Sequence, residues 1–187
     1  MALTEVFTGA HGTLTLASED TPEGTDAKAV IDTFAIQTVG RLTDVQVRVD
    51  TAVKEFYEVG RRHPVSLSPG AIAISGSVGR AYVNGALLFL LLGRGAAPTA
   101  VAEPYVQPSF GINLRLQDPG RPGSSLSLEI GGVKFQNWHY TLPEDDFVAE
   151  NLCFRALTIR VVDRDSSGGG AAAGGGGEAP PVNVAFA

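Results

Sequence analysis

Along most of this chain, apolar residues recur at every second position and seldom at helical spacing, as in strands with one buried and one wet face. The fold class this predicts is mainly β. Residues 11–17 (HGTLTLA) read as a short alternating strand, and residues 18–26, with Pro22 and Gly24, as an acidic loop leading into extended chain. The alternation strengthens between 34 and 50, where Val45, Val47 and Val49 fall on one face and Asp44, Gln46, Arg48 and Asp50 on the other. Residues 51–64 (TAVKEFYEVGRRHP) mix charges with aromatics and are interrupted by Gly60 and Pro64, which predicts a long hairpin arm or loop rather than a core strand.

Alternation resumes over 66–83, with Ile72, Ile74 and Val78 on one face and the slim Ala73, Ser75, Ser77 and Gly79 on the other. One short helix is expected at 86–92, N-capped by Asn84 and closed by Gly93 in a left-handed conformation. Because that helix is apolar all round, it must be covered on every side, by its own sheet or by a neighbouring subunit. Three more strands are expected at 111–117, 126–142 and 150–162, with turns at 118–123 and 143–146. After Asp165 the composition changes to SSGGGAAAGGGGEAPP, so the domain is placed at 1–165 and a Gly-rich arm at 166–187. The last stretch of that arm, with Val182, Val184 and Phe186, is apolar enough to dock.

Composition narrows the function. Hydrophobic residues make up 44% of the 187 and charged residues only 18%, little charge for a surface meant to remain alone at high concentration. Partners are therefore expected. The net charge of −6 and the scatter of the 14 basic residues argue against a concentrated phosphate-binding footprint. The single Cys153 lies in an apolar alternating run and cannot form an intrachain disulfide. The longest apolar run, 86–92, is far below the roughly 20 residues needed to cross a bilayer, and no membrane insertion is expected. The first ten residues lack the basic region and apolar core of a signal peptide.

Candidate chemistry is sparse. Pro143-Glu144-Asp145-Asp146 could gather carboxylates for calcium, but it lacks a full ligand set and reads better as a solvated turn. His11, His63 and His139 lack zinc-ligand spacing, and no nucleophile elbow or phosphate loop is present. No cofactor and no catalysis are expected. Trp138, with Phe135 and Tyr140, could form a carbohydrate platform, although aromatics at alternate strand positions serve more often as core and interface anchors. The rival function is thus a monomeric β-sandwich binding module for a glycan or metal ion.

Residues 131–161 (GGVKFQNWHYTLPEDDFVAENLCFRALTIRV) resemble the C-terminal strand pair of tail tube proteins from tailed phages and contractile injection systems. So do residues 60–93, in the order GRRHP, ISGSVGRAYV, LLLG, and the opening FTGAHGTLTLA looks like the first strand of that family. The resemblance implies a two-sheet β-barrel or sandwich with one short flanking helix, joining five copies of itself in a hexameric ring with a continuous inner β-barrel. Rings would stack into a tube through which DNA or an effector passes, in a virion tail made in the host cytoplasm. It also implies possible tail sheath, tape measure, baseplate and terminator partners. Asp44, Gln46, Arg48 and Asp50 are then the candidate lumen lining, with small and acidic groups repelling phosphate and Arg48 needing a carboxylate beside it. Lys54, Glu55, Phe56, Tyr57, Arg61 and Arg62 are candidates for contact between subunits or rings, and Val182, Val184 and Phe186 for docking of the C-terminal arm.

Overall fold

The computed structural model describes residues 7–82, 84–93, 106–120 and 125–164. A 3-10 turn at Gly9–His11 leads into β1 (Gly12–Ser18), α1 (Pro22–Phe34), β2 (Thr38–Val39), β3 (Leu42–Phe56) and β4 (Ser66–Ala81). Then follow α2 (Ala86–Leu92), β5 (Phe110–Gln117), β6 (Ser125–Thr141), β7 (Ala149–Ala156) and β8 (Thr158–Arg164). The mainly β expectation holds. All pairings are antiparallel, and the strands run in the order β2-β1-β5-β6-β7-β4-β3, with β8 added on β6.

The 17-residue β6 organises the molecule by serving two layers. Its first half pairs with β5 and with β8, and its second half pairs with β7. The strand changes layer at Gly132, whose φ of +64 is strained for any side chain and where a Cβ would lie 2.6 Å from the Leu157 side chain. At the same level the neighbouring chain passes from β7 to β8, and the Leu157 N–H donates to the Gly131 carbonyl at 3.0 Å. This corrects the single strand expected at 150–162, which is two strands broken at Leu157. The expected barrel also differs: the strand path ends at β2 and at β3, and no pairing among the described residues joins those ends. Among the described residues the sheet is open.

A second correction concerns residues 18–26, expected as a loop, with one helix expected in the whole chain. Two α-helices are present among the described residues, and α1 begins inside that segment. Thr21 is its N-cap, with its hydroxyl accepting the Gly24 N–H at 3.0 Å, and Pro22 occupies the first helical position, where its missing N–H costs nothing. Gly24 is required by close approach, since a Cβ there would meet the Glu19 carbonyl oxygen at 2.1 Å. Ala27, Val30, Ile31 and Phe34 then form a helical stripe against the core, and Ala35 ends the helix at φ +50.

The core lies between the layers and under the helices. Leu14, Leu16, Phe110, Ile112 and Ile130 from one layer meet Val78, Phe135, Leu152 and Phe154 from the other. Each such burial contributes about 1.5–3 kcal/mol. Within α2, Ala86, Leu87 and Leu90 are buried, the helix packs on β6 and α1, and the Phe89 ring lies 5.4 Å from Phe34. Its own chain therefore supplies most of the cover. The cap position is Gly85 rather than Asn84, but the Asn84 side-chain oxygen still accepts the Ala86 N–H at 3.3 Å. Gly93 stops the helix at φ +56 and ψ −132, a positive φ outside the left-handed helical region that the sequence suggested.

Candidate assembly surfaces

Three surfaces stand out, and the first is a polar face built by register. Along β3, Val45 and Val47 are half-buried while Asp44, Gln46, Arg48 and Asp50 are exposed, because side chains alternate across the sheet. Pairing carries this face over three more strands. Gln46 lies opposite Ser77, which faces Cys153, which faces Asn137; Arg48 lies opposite Ser75, which faces Arg155. The small residues of β4 leave the guanidinium groups on either side unshielded. Arg48 has the carboxylate it requires: Asp50 lies 2.8 Å from its Nε. Among the described residues, Arg155 hydrogen-bonds only the neutral Gln136, at 3.4 Å. With Asp44 and Asp50 against Arg48 and Arg155, and with Lys134 beyond Arg155 in the same row and 3.4 Å from Glu23, the face carries both signs, unlike the acidic wall expected from β3 alone. The difference arises because Arg155 reaches the row from a strand distant in sequence.

The second surface is the hairpin arm. β3 and β4 stay paired to Phe56 and Ser66, so the predicted arm is a two-stranded ribbon, and every residue from 51 to 69 is exposed. Phe56, Tyr57, Val59 and Leu67 present large apolar groups to water, with Phe56 61% exposed. The charges at the tip are partly satisfied within it. The Tyr57 hydroxyl donates to Glu55, which holds the phenol pKa above its ordinary value, and Arg61 lies 3.3 Å from Glu58. Lys54 and Arg62 make no hydrogen bond or ion pair among the described residues. Among the described residues the outer edge of β3 has no partner strand there either.

The third surface lies at the opposite end of the sheet, at the loop 142–148 between β6 and β7. Leu142 and Phe147 are 71% and 83% exposed there, flanking Glu144, Asp145 and Asp146. Asp146 accepts its neighbour's backbone N–H, from Phe147, at 2.6 Å. The described residues contain no group of three or more His, Cys, Asp or Glu side chains able to hold a metal.

Sequence reading missed one constellation inside the fold. Arg80 and Glu150 are cross-strand partners on β4 and β7, both almost wholly buried, and they form a close ion pair. Glu150 also accepts the Trp138 indole N–H at 2.9 Å, and Arg80 reaches the Asn84 carbonyl at 3.1 Å. The available signal was two opposite charges at inward positions of otherwise apolar or slim strands. Trp138 is stacked on Tyr140, with ring centroids 5.4 Å apart, and its polar atom is engaged in the interior. Val182, Val184 and Phe186 lie outside the described residues. No helix among those described is long and apolar enough to cross a membrane.

No family model and no curated protein matches the chain. Solved structures do. A component of the sheath-tube complex of an extracellular contractile injection system (PVC) aligns with a TM-score of 0.59 at 7% identity, over 86% of this chain and 94% of that one. The SPP1 tail tube aligns at 0.53 and 9% identity, over 86% and 80% of the two chains. The tube-terminating cap of the anti-feeding prophage aligns at 0.55 and 8% identity, over 87% and 95%. These likenesses cover 86–87% of this chain. The chain thus has the fold of tail tube proteins from phage tails and contractile injection systems.

Proposed function

We propose that this chain is the structural subunit of a tail tube, forming hexameric rings that stack around a channel for DNA or an effector, and that it catalyses no reaction. The observation that carries this reading is the pairing of a tail-tube fold with an incomplete sheet: among the described residues the 15-residue β3 has one bare edge, and its outer half pairs with β4 alone. Unpaired strand edges recruit other strands, and ring closure removes them. In the ring, the row of Asp44, Gln46, Arg48 and Asp50 faces the channel, and the Arg48–Asp50 pair keeps that cation from holding phosphate. The arm, with Lys54, Glu55, Phe56, Tyr57, Arg61 and Arg62, meets neighbouring copies. Residues 1–165 form the tube domain, and 166–187 form an arm that docks through Val182, Val184 and Phe186. Sheath, tape measure, baseplate and terminator proteins are the further partners, and the virion tail is its location.

Size-exclusion chromatography with light scattering, followed by negative-stain microscopy, tests this reading. Rings or tubes are the expected outcome; a stable monomer at high concentration overturns it. The alternative, a monomeric glycan or ion module, gains nothing from Trp138, which is committed to Glu150 and Tyr140.

A further inference from the structure

The joint between β4 and α2 carries the pair Asn84-Gly85. The Asn84 amide is doubly held there. Arg80 donates through Nη2 to the Asn84 backbone carbonyl at 3.1 Å and to its side-chain Oδ1 at 3.3 Å, and the Ala86 N–H donates to the same Oδ1 at 3.3 Å. Bonding to the N–H two residues on folds the side chain back along the backbone, which brings its amide carbon towards the Gly85 nitrogen. Arg80 is 2% exposed and is itself fixed by Glu150. Around Gly85 there is room: a Cβ built on it would meet nothing nearer than the Tyr82 hydroxyl, at 4.0 Å.

We propose that Asn84 is a self-modification site, at which the folded chain converts this amide into a carboxylate. The Gly85 nitrogen attacks Cγ, a new N–C bond closes a cyclic imide, and the side-chain nitrogen leaves as ammonia with the Gly85 proton. Water then adds to one of the two imide carbonyls and reopens the ring, giving aspartate or isoaspartate. Charge that builds on Oδ1 during the attack falls on the guanidinium and the Ala86 N–H, an arrangement of the kind that stabilises an acyl-transfer oxyanion. With no side chain at Gly85, the nitrogen is uncovered and the ring is open to water. The two carbonyls of the imide are the two oxygens that Arg80 already holds, so one cation serves both steps. Each chain reacts once and is changed by the reaction, which keeps this apart from catalysis. The product adds a second carboxylate beside Arg80, so the joint gains negative charge as the chain ages.

Peptide mapping by mass spectrometry, with isoaspartate scored separately, tests this on the full chain held folded in neutral buffer and on the same chain unfolded in urea. We expect Asn84 to convert at least about threefold faster folded than unfolded, and at least about tenfold faster than Asn113, Asn137 and Asn151 of the folded chain. Gly85→Ala, which the open space and an ordinary φ of −75 accommodate, is expected to slow conversion at least about tenfold with the melting curve unchanged. Arg80→Met with Glu150→Gln removes both buried charges together, keeps an acceptor for Trp138, and is expected to lower the folded rate to the unfolded one. Conversion no faster folded than unfolded, or a folded rate that the Arg80 variant leaves unchanged, overturns the proposal. Circular dichroism checks that each variant folds; if the Arg80 variant does not, the comparison of folded and unfolded parent decides alone.

Discussion

The inner and outer halves of the β3–β4 hairpin share one continuous register but have different surroundings. Near its base, β4 is flanked by β7, and Val78 and Ile74 are buried with Leu152 and Phe154. Past Ile74 no third strand pairs with the ribbon among the described residues, and its outer half is wet on both faces. A two-stranded ribbon is marginal in water by itself, so the outer half borrows its order from the inner half and from whatever it touches. The base holds the fold, and the tip stands clear of it.

That contrast can be broken or sharpened by substitution. The largest effect is expected at the base, where Glu150→Ala strands Arg80 in the interior and leaves the Trp138 N–H unpaired. A loss of about 3–5 kcal/mol in urea unfolding is expected, and a loss below about 1 kcal/mol contradicts a stabilising role for the network. Gly132→Ala should follow, at about 1–3 kcal/mol, since its positive φ and the adjacent Leu157 both oppose a side chain; thermal melting measures it. At the tip, Phe56→Ser with Tyr57→Ser should move folding stability by less than about 0.5 kcal/mol while reducing association in sedimentation. An unfolded double variant would erase the distinction between the halves. The smallest effect belongs to Arg48 and Asp50, both exposed: a double-mutant cycle should give a coupling of about 0.2–1 kcal/mol that fades with added salt.

Much of this was legible in the chain. Strand positions, the polar row on β3 and the projecting arm all follow from period-two alternation and its interruption, which are local signals. The misses share a cause. Pro22 and Gly24 mask α1, because both residues commonly interrupt helices, although Pro at the first helical position is favourable and Gly24 lies in close contact with Glu19. The 150–162 break hid because Leu157 keeps the apolar pattern running while the backbone changes partner. The Arg155 contribution to the polar row and the Arg80–Glu150 pair depend on β7 lying beside β4, a long-range pairing that composition does not encode. The likeness to solved tail tubes lies in the path of the backbone, with identities of 7–9%, so sequence could show it only through the order and spacing of short segments.

The lateral position of β7 also sets a schedule for biosynthesis. The β3–β4 ribbon is complete at Ala81, yet the strand that covers its inner edge begins only at Ala149, about 70 residues later. At roughly 5–20 residues per second, a nascent ribbon stands with both margins bare for several seconds on the ribosome. Cover for the inner edge of β4 therefore arrives late, once β7 has emerged, and crowded polysomes are where premature edge-to-edge pairing of these chains should concentrate.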